Sequence, residues 1–424
     1  MLPGILSSRI VRNISWLGAA SILVKPLWFV FITILCVNVL GAFNYGILTS
    51  TLGLAILASL FTDLGTIRYS VREIAKAPDT ASQYFTNVLL LRLGLSVAAC
   101  LLAMSLGWIL DYQGPAFIAL FFASIYALSL NITNFNRCIF QAHENLKLEA
   151  IFLLLEKLLV VALGTLLLFW TRAPEWTLAG MAAGMFLITL INALWISKNL
   201  APFTWARVDW AFMKETVRFS LPLGAAGIFA VLYYRTDAVM IEYMLGETPT
   251  GQYGVAFRLL DASVLLPTVI VAGLFARFSS YWHEHRFAEF RKLSGGGLAG
   301  LLGLSIPIAL ICTFFAQPII SLIAPDPAFT DSVPVLKIIV WTFPLNCVYL
   351  LLSASLTAMN EQKYLAIVSG LAFLLNFGLN LILIPRQGIE GAALTTVVTA
   401  FFLSLAVFIK YLSTNQRVKK SGAV

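Results

Sequence analysis

The chain reads as an all-α polytopic membrane protein of about twelve transmembrane helices. Three observations predict this class. Hydrophobic residues fill 60% of its 424 positions and charged ones only 11%, with a mean hydropathy of +0.89. Too little polar surface remains to coat a soluble core. Apolar runs of about 20 residues recur from end to end, each long enough to cross a hydrocarbon layer of roughly 30 Å at 1.5 Å per residue. Lysine and arginine alternate between connections, dense in every second one and sparse in the others. Alternating ten-residue strand patterns are absent, which argues against an outer-membrane barrel.

Taken in order, the spans are expected near 14–37, 45–67, 85–110, 115–137, 149–171, 176–197, 219–244, 252–278, 295–316, 333–358, 364–384 and 389–412. The first run is too long for a cleavable signal and reads as a signal-anchor. On this map about 20 Lys and Arg residues fall in the even connections and the termini, which the positive-inside rule places in the cytoplasm. Only Arg172 and Arg386 fall clearly on the other side. Both termini are therefore expected to be cytoplasmic, in a multi-pass inner (cytoplasmic) membrane protein. The same rule accounts for the net charge of +8 without nucleic acid.

The chain also repeats. Leu17-Gly-Ala-Ala20 returns 206 positions later as Leu223-Gly-Ala-Ala226, and Tyr45-Gly46 returns 208 positions later as Tyr253-Gly254. Six spans per repeat make the halves parallel. The expected organisation is a six-helix lobe over 1–200, a cytoplasmic amphipathic linker over 201–218 and a second six-helix lobe over 219–424, around a central cavity. The stretch from Lys198 to Arg218 mixes Trp and Phe with Lys and Arg, as interfacial segments do.

Charges within the spans point to function, because an ionised side chain at membrane depth costs about 2.5–3.5 kcal/mol even on a lenient scale. Arg235 and Asp237 lie in the seventh span, Arg258 and Asp261 in the eighth, Lys25 in the first and Arg92 in the third. The four cations come from both halves and form a ladder of depths suited to an anionic head group. Arginine's planar fork can hold two phosphate oxygens at once. Arg258 and Asp261, three apart, share a helix face and can instead neutralise each other. Arg235 and Asp237, two apart, cannot pair along one helix and each needs another partner or water. Asp237 or Asp261 would exchange an ion or balance charge. Lys157 can pair with Glu149 or Glu156 or reach the interface, and Asp63 suits a cap or a pair near Arg68. Pro26, Pro267, Pro307 and Pro344 mark hinges or packing kinks. Asn376 and Asn380, one turn apart, read as interhelical ties.

No P-loop, HExxH, CxxC or nucleophile-elbow pattern occurs. The external connections are short, and the five cysteines show no metal-ligand spacing. No catalytic residue, metal or cofactor is expected, and an integral-membrane glycan-processing enzyme is the weaker class.

The segment RFSLPLGAAGIF…YYRTDAVMIEYMLG…GQYGVAFRLLD…LLP resembles spans seven and eight of Wzx-type polysaccharide (O-antigen) flippases. FNYGILTSTLGLAILASLFTDLGTIRYSVREIA and NEQKYLAIVSGLAFLLNFGLNLILIPRQGIEGAALTTVVT resemble other parts of that family, in the right order. The resemblance implies the fold of the multidrug/oligosaccharidyl-lipid/polysaccharide exporter superfamily, a MATE-like fold. It implies alternating-access transport of a polyprenyl-pyrophosphate-linked glycan, driven by an ion gradient (proton or sodium) or the membrane potential, for cell-surface polysaccharide synthesis. A glycan polymerase and chain-length proteins are the implied partners besides membrane lipids. Lys25, Arg92, Arg235 and Arg258 would meet the cargo. A multidrug (organic-cation) antiporter and a lipid II flippase of the same superfamily are the alternatives.

Overall fold

A computed structural model describes residues 6–420, and among them every regular element is helical. The chain separates into two compact units, Met1–Val231 and Leu232–Val424. Among the described residues, eight stretches are long and apolar enough to cross a membrane, nine if Pro327–Ile339 and Thr342–Ala358, bent by 43°, form one broken span. Two of the eight, Ala20–Thr62 and Gln362–Gln416, hold 43 and 55 residues, about twice what one crossing needs. Each leaves helical geometry at one glycine, Gly41 or Gly388. Counting each as two, and adding the 36-residue helix Trp210–Leu245, accounts for the twelve expected spans. Spans are numbered in that order below.

The repeat has a backbone counterpart. Gly41, ending span 1, has φ 71° and ψ 176°, and Gly246, ending span 7, has φ 90° and ψ −173°. This corner of conformational space is open essentially to glycine alone. Tyr45-Gly46 and Tyr253-Gly254, which follow, are buried in their own units. The side chains of Leu17 and of 223–226, part of the other repeated pair, lie outside the described residues.

The prolines sort by position. Pro26 lies inside Leu6–Phe29, and the helix passes into a π-helical turn at Val30–Leu35. A ring that removes a backbone donor and crowds the preceding turn favours such a local change of pitch. Pro267 and Pro344 stand in the first turns of Leu265–His283 and Thr342–Ala358, where a missing N–H leaves no bond unmade. Only Pro307 of the later three sits in a helix interior.

Within the first unit, span 2 ends in a left-handed turn at Leu64 and Gly65, followed by the short polar helix Thr66–Lys76. Its Glu73 accepts from Lys76 Nζ (3.1 Å) and Arg72 Nε (2.7 Å), and those bonds, Lys76's foremost, hold its carboxyl below the usual range. The expected linker is clamped to the start of span 3. Asn87 donates to Arg207 O (2.8 Å) and accepts from Asp209 N (2.7 Å), Thr86 accepts from Thr204 N (3.2 Å), and Ser82 donates to Pro202 O. Span 7 then starts at Trp210, so part of the expected linker is helical. Trp205 and Trp210 face outward, 74% and 78% exposed, as in an interfacial aromatic belt.

Spans 5 and 6 (Leu146–Thr171 and Pro174–Asn199) approach through Gly180 and Gly184. A Cβ on Gly184 would lie 2.8 Å from Leu159 O, and one on Gly180 closer still to Leu163 O. Small residues at this spacing let membrane helices meet backbone to backbone. Gly184→Val is expected to lower stability by about 1–3 kcal/mol through overpacking. Gly94→Ala, where a Cβ meets nothing within 4 Å, should be neutral or mildly stabilising. Thermal unfolding in micelles checks both, and equal shifts would exclude the close approach.

Candidate functional site

In the second unit the buried Asp237 sits among neutral donors contributed by three other spans. Its Oδ2 accepts from Tyr253 Oη (2.9 Å, span 8) and Thr396 Oγ1 (2.7 Å, span 12), and its Oδ1 from Asn380 Nδ2 (2.7 Å, span 11). Asn380 Nδ2 also reaches Asn376 Oδ1 at 3.2 Å. Asn380 Oδ1 and Asn376 Nδ2 are buried without a hydrogen-bond partner among the described residues. Salt bridges among the described residues include none to Asp237. The result is a carboxylate and several neutral oxygens in one place, held by dipoles rather than a counter-charge. Asn380 is thus an interhelical tie, as expected, whereas Asn376 bonds to Asn380 within the same helix. Nothing in their local sequence links them to that acid.

The second group lies beside it. Tyr234 Oη donates to Asp261 Oδ1 at 2.5 Å, and Arg258 Nη1 stands 3.5 Å from Asp261 Oδ2. The helical pairing of Arg258 with Asp261 is therefore present, but long, and Asp261 is shared with a tyrosine. Arg235 places its guanidinium 5.8 Å from the Tyr234 ring centroid, a cation–π distance. Phe257 links the two groups, edge-on to Tyr234 (5.0 Å between centroids) and stacked on Tyr253 (5.8 Å). Asp237, Arg258 and Asp261 thus belong to one continuous side-chain assembly.

The first unit uses its charges differently. Arg92 is wholly buried. Its Nη1 donates to Asp63 Oδ1 (2.6 Å) and Thr66 Oγ1 (2.8 Å), its Nη2 to Asn131 O (3.0 Å), and its guanidinium faces the Phe135 ring. Expected at the cargo, Arg92 has the geometry of a tie between spans 3 and 4 and the turn after span 2. Asp63 also accepts from Ile67 N (3.3 Å), so it caps the short helix and pairs with Arg92 rather than Arg68. Glu156, fully buried, bridges Arg137 and Lys157, the latter at 2.8 Å. Lys157 thus pairs with Glu156, while Glu149 accepts from Gln141 (2.7 Å). Lys25, by contrast, is exposed and makes no ion pair or hydrogen bond among the described residues.

A family model described as "Polysaccharide biosynthesis protein" matches residues 10–282, and one described as "MatE" matches residues 222–382. The chain is 24% identical to "Probable flippase AglR" of Haloferax volcanii across 87% of its own length and 76% of the relative's. It is also 24% identical to "Probable low-salt glycan biosynthesis flippase Agl15" of that organism, across 48% and 42% of the two chains. Its fold is similar to that of "Lipid II flippase MurJ, inward closed conformation", with a TM-score of 0.76 at 15% identity over 93% of this chain and 87% of that one. It is similar to an inward-facing "multidrug resistance MATE family transporter of the MOP superfamily" with a TM-score of 0.74, again at 15% identity, over 93% and 96%. These neighbours share the all-α polytopic fold. The named relatives are flippases and transporters, not catalysts.

Proposed function

Because the chain belongs to the polysaccharide biosynthesis protein family, we propose that it moves a polyprenyl-pyrophosphate-linked oligosaccharide across the cytoplasmic membrane by alternating access. Cell-surface polysaccharide synthesis, of the O-antigen kind served by Wzx-type proteins, is the pathway this reading serves. Both termini would be cytoplasmic, a placement that the distribution of basic residues supports. That the protein is a membrane flippase or transporter is common ground with its relatives. The observation that carries the finer reading is the assembly around Asp261, where two arginines stand beside an acid and a tyrosine inside apolar spans.

In this reading Arg235 and Arg258 in the second unit, and Lys25 in the first, meet the phosphates and acidic sugars of the cargo. Arg92, held by Asp63, Thr66 and Asn131, supports the scaffold of the first unit. An arriving phosphate competes with Asp261 for Arg258, and the long 3.5 Å pairing favours that exchange. Asp237 would take the coupling ion, a proton or a sodium ion, since one carboxylate with neutral oxygens suits a single positive charge. Ion binding would draw spans 7, 8, 11 and 12 together and act on Arg258 through Tyr253, Phe257 and Tyr234.

Proteoliposomes loaded with a fluorescent polyprenyl-pyrophosphate oligosaccharide test this. Transbilayer movement is expected with the intact protein, falling about tenfold or more in Arg235→Ala or Arg258→Ala as a charge-assisted contact is lost. Unchanged movement in both, at normal insertion, would remove the arginines from cargo binding. The MatE match over residues 222–382 favours the multidrug reading. That reading requires organic cations, not glycolipids, to be carried.

A further inference from the structure

At one end of the second unit, away from the assembly just described, spans 9, 10 and 12 leave an open groove of about 390 Å³. Its walls are apolar, with Leu298, Leu352, Phe408 and Leu412 among them, and Gly295 forms part of its floor. Arg291, Asn415 and Gln416 stand at its polar side. Arg291 is the telling residue. Its Nη1 is buried, and the side chain makes no ion pair or hydrogen bond among the described residues. Two other basic side chains near this end, Arg286 and Lys410, are satisfied by protein. Arg286 has Glu284 (3.2 Å) and Glu289 (3.3 Å), and Lys410 has Glu361 (2.9 Å).

A desolvated guanidinium donor without an acceptor carries the full cost of its lost hydration unless a ligand supplies the oxygen. Span 9 begins at Phe287, so Arg291 lies about 6 Å along its axis, near head-group depth. An apolar channel beside a cation at that depth matches one occupant in shape and charge: a phospholipid with an acyl chain along the leucines and its phosphate on Arg291. Asn415 and Gln416 supply amide groups where glycerol and ester oxygens would sit.

We propose that this groove is a binding site for an anionic phospholipid of the surrounding membrane, separate from the transported molecule and tying spans 9, 10 and 12 together. Selection for an anionic over a zwitterionic head group follows from Arg291, because among the described residues no acidic side chain lines the groove to balance it.

The test uses the full-length protein, delipidated in neutral detergent and titrated with phosphatidylglycerol, phosphatidylcholine or inorganic phosphate while the unfolding midpoint is followed. Phosphatidylglycerol should raise the midpoint of the unaltered protein at lower concentrations than phosphatidylcholine, and inorganic phosphate should not raise it. Arg291→Gln should weaken the apparent affinity for phosphatidylglycerol about fivefold, the effect of one basic residue at a charged surface, and leave phosphatidylcholine unaffected. Gly295→Leu should weaken both lipids, because a Cβ there meets nothing within 4 Å and the added side chain occupies the groove. Equal midpoints with the two lipids, the same effect from inorganic phosphate, or unaltered phosphatidylglycerol affinity in both variants overturns the proposal. If Arg291→Gln does not accumulate, Gly295→Leu decides alone, and undiminished lipid affinity in it overturns the site.

Discussion

Asp63→Ala should destabilise the first unit by about 3–5 kcal/mol, more than Arg92→Leu, although the aspartate is the more exposed partner. The reason is which charge is left behind. Arg92 is 0% exposed and Asp63 41%. Removing Asp63 leaves a buried guanidinium with only Thr66 Oγ1 and Asn131 O for company, and also strips Ile67 N of its acceptor. Removing Arg92 leaves a carboxylate that water can reach. The double substitution Asp63→Ala with Arg92→Leu should lose less than the sum of the two, because no buried charge is then stranded. Unfolding in mixed micelles, by heat or by sodium dodecyl sulfate, measures the cycle. If the effects simply add, or if Arg92→Leu is the worse single change, Arg92 is not the tie that its contacts describe. It would then be available to the cargo, as its charge alone suggests.

The Arg92–Asp63 pair is of a kind that a linear sequence does not display. Hydropathy and basic residues locate the spans because a bilayer acts on every residue of a helix in the same way. The breaks at Gly41 and Gly388 fall within connections recognisable by their glycines. Arg92 is visible as a charge in an apolar run, but its partner lies 29 positions away, across a left-handed turn at Leu64 and Gly65. The linker clamp joins residues 118 to 122 apart through serine, threonine and asparagine. Side chains of that kind are common in membrane helices and announce no particular partner. Gly180 and Gly184 do carry a local signal, small residues four apart on an apolar helix, but no charge accompanies it.

The second unit divides in the same manner. Arg235, Asp237, Arg258 and Asp261 stand out in the sequence, and all four are found near one another in the fold. Tyr234 and Thr396 do not stand out, and Tyr253 does so only as part of the repeat, yet they determine which acid faces a cation and which faces dipoles. A hydroxyl or amide costs little enough in a membrane helix that its presence is unremarked until three of them meet one carboxylate.

Asp237→Ala should therefore separate two roles that the burial of this acid combines. As a structural node, Asp237 accepts from Tyr253, Asn380 and Thr396, and its loss leaves those donors in need of new partners. As the proposed ion site, its loss should in addition cut ion-driven transport by about 5–150-fold, the usual range of a coupling free energy. The two are told apart by ion dependence rather than by stability. In the unaltered protein, adding sodium at fixed pH, or protons at fixed sodium, should raise the unfolding midpoint by mass action if the ion binds the folded form alone. Whichever ion does so identifies the coupling species. Asp237→Ala should abolish that dependence, and Asn380→Ala should reduce it by removing an oxygen from the same site. Asp261→Ala, in the neighbouring group, should leave it intact while altering cargo transport through Arg258. A lower midpoint in Asp237→Ala that still rises with the same ion, to the same extent, would make Asp237 a structural node and move ion coupling elsewhere in the protein.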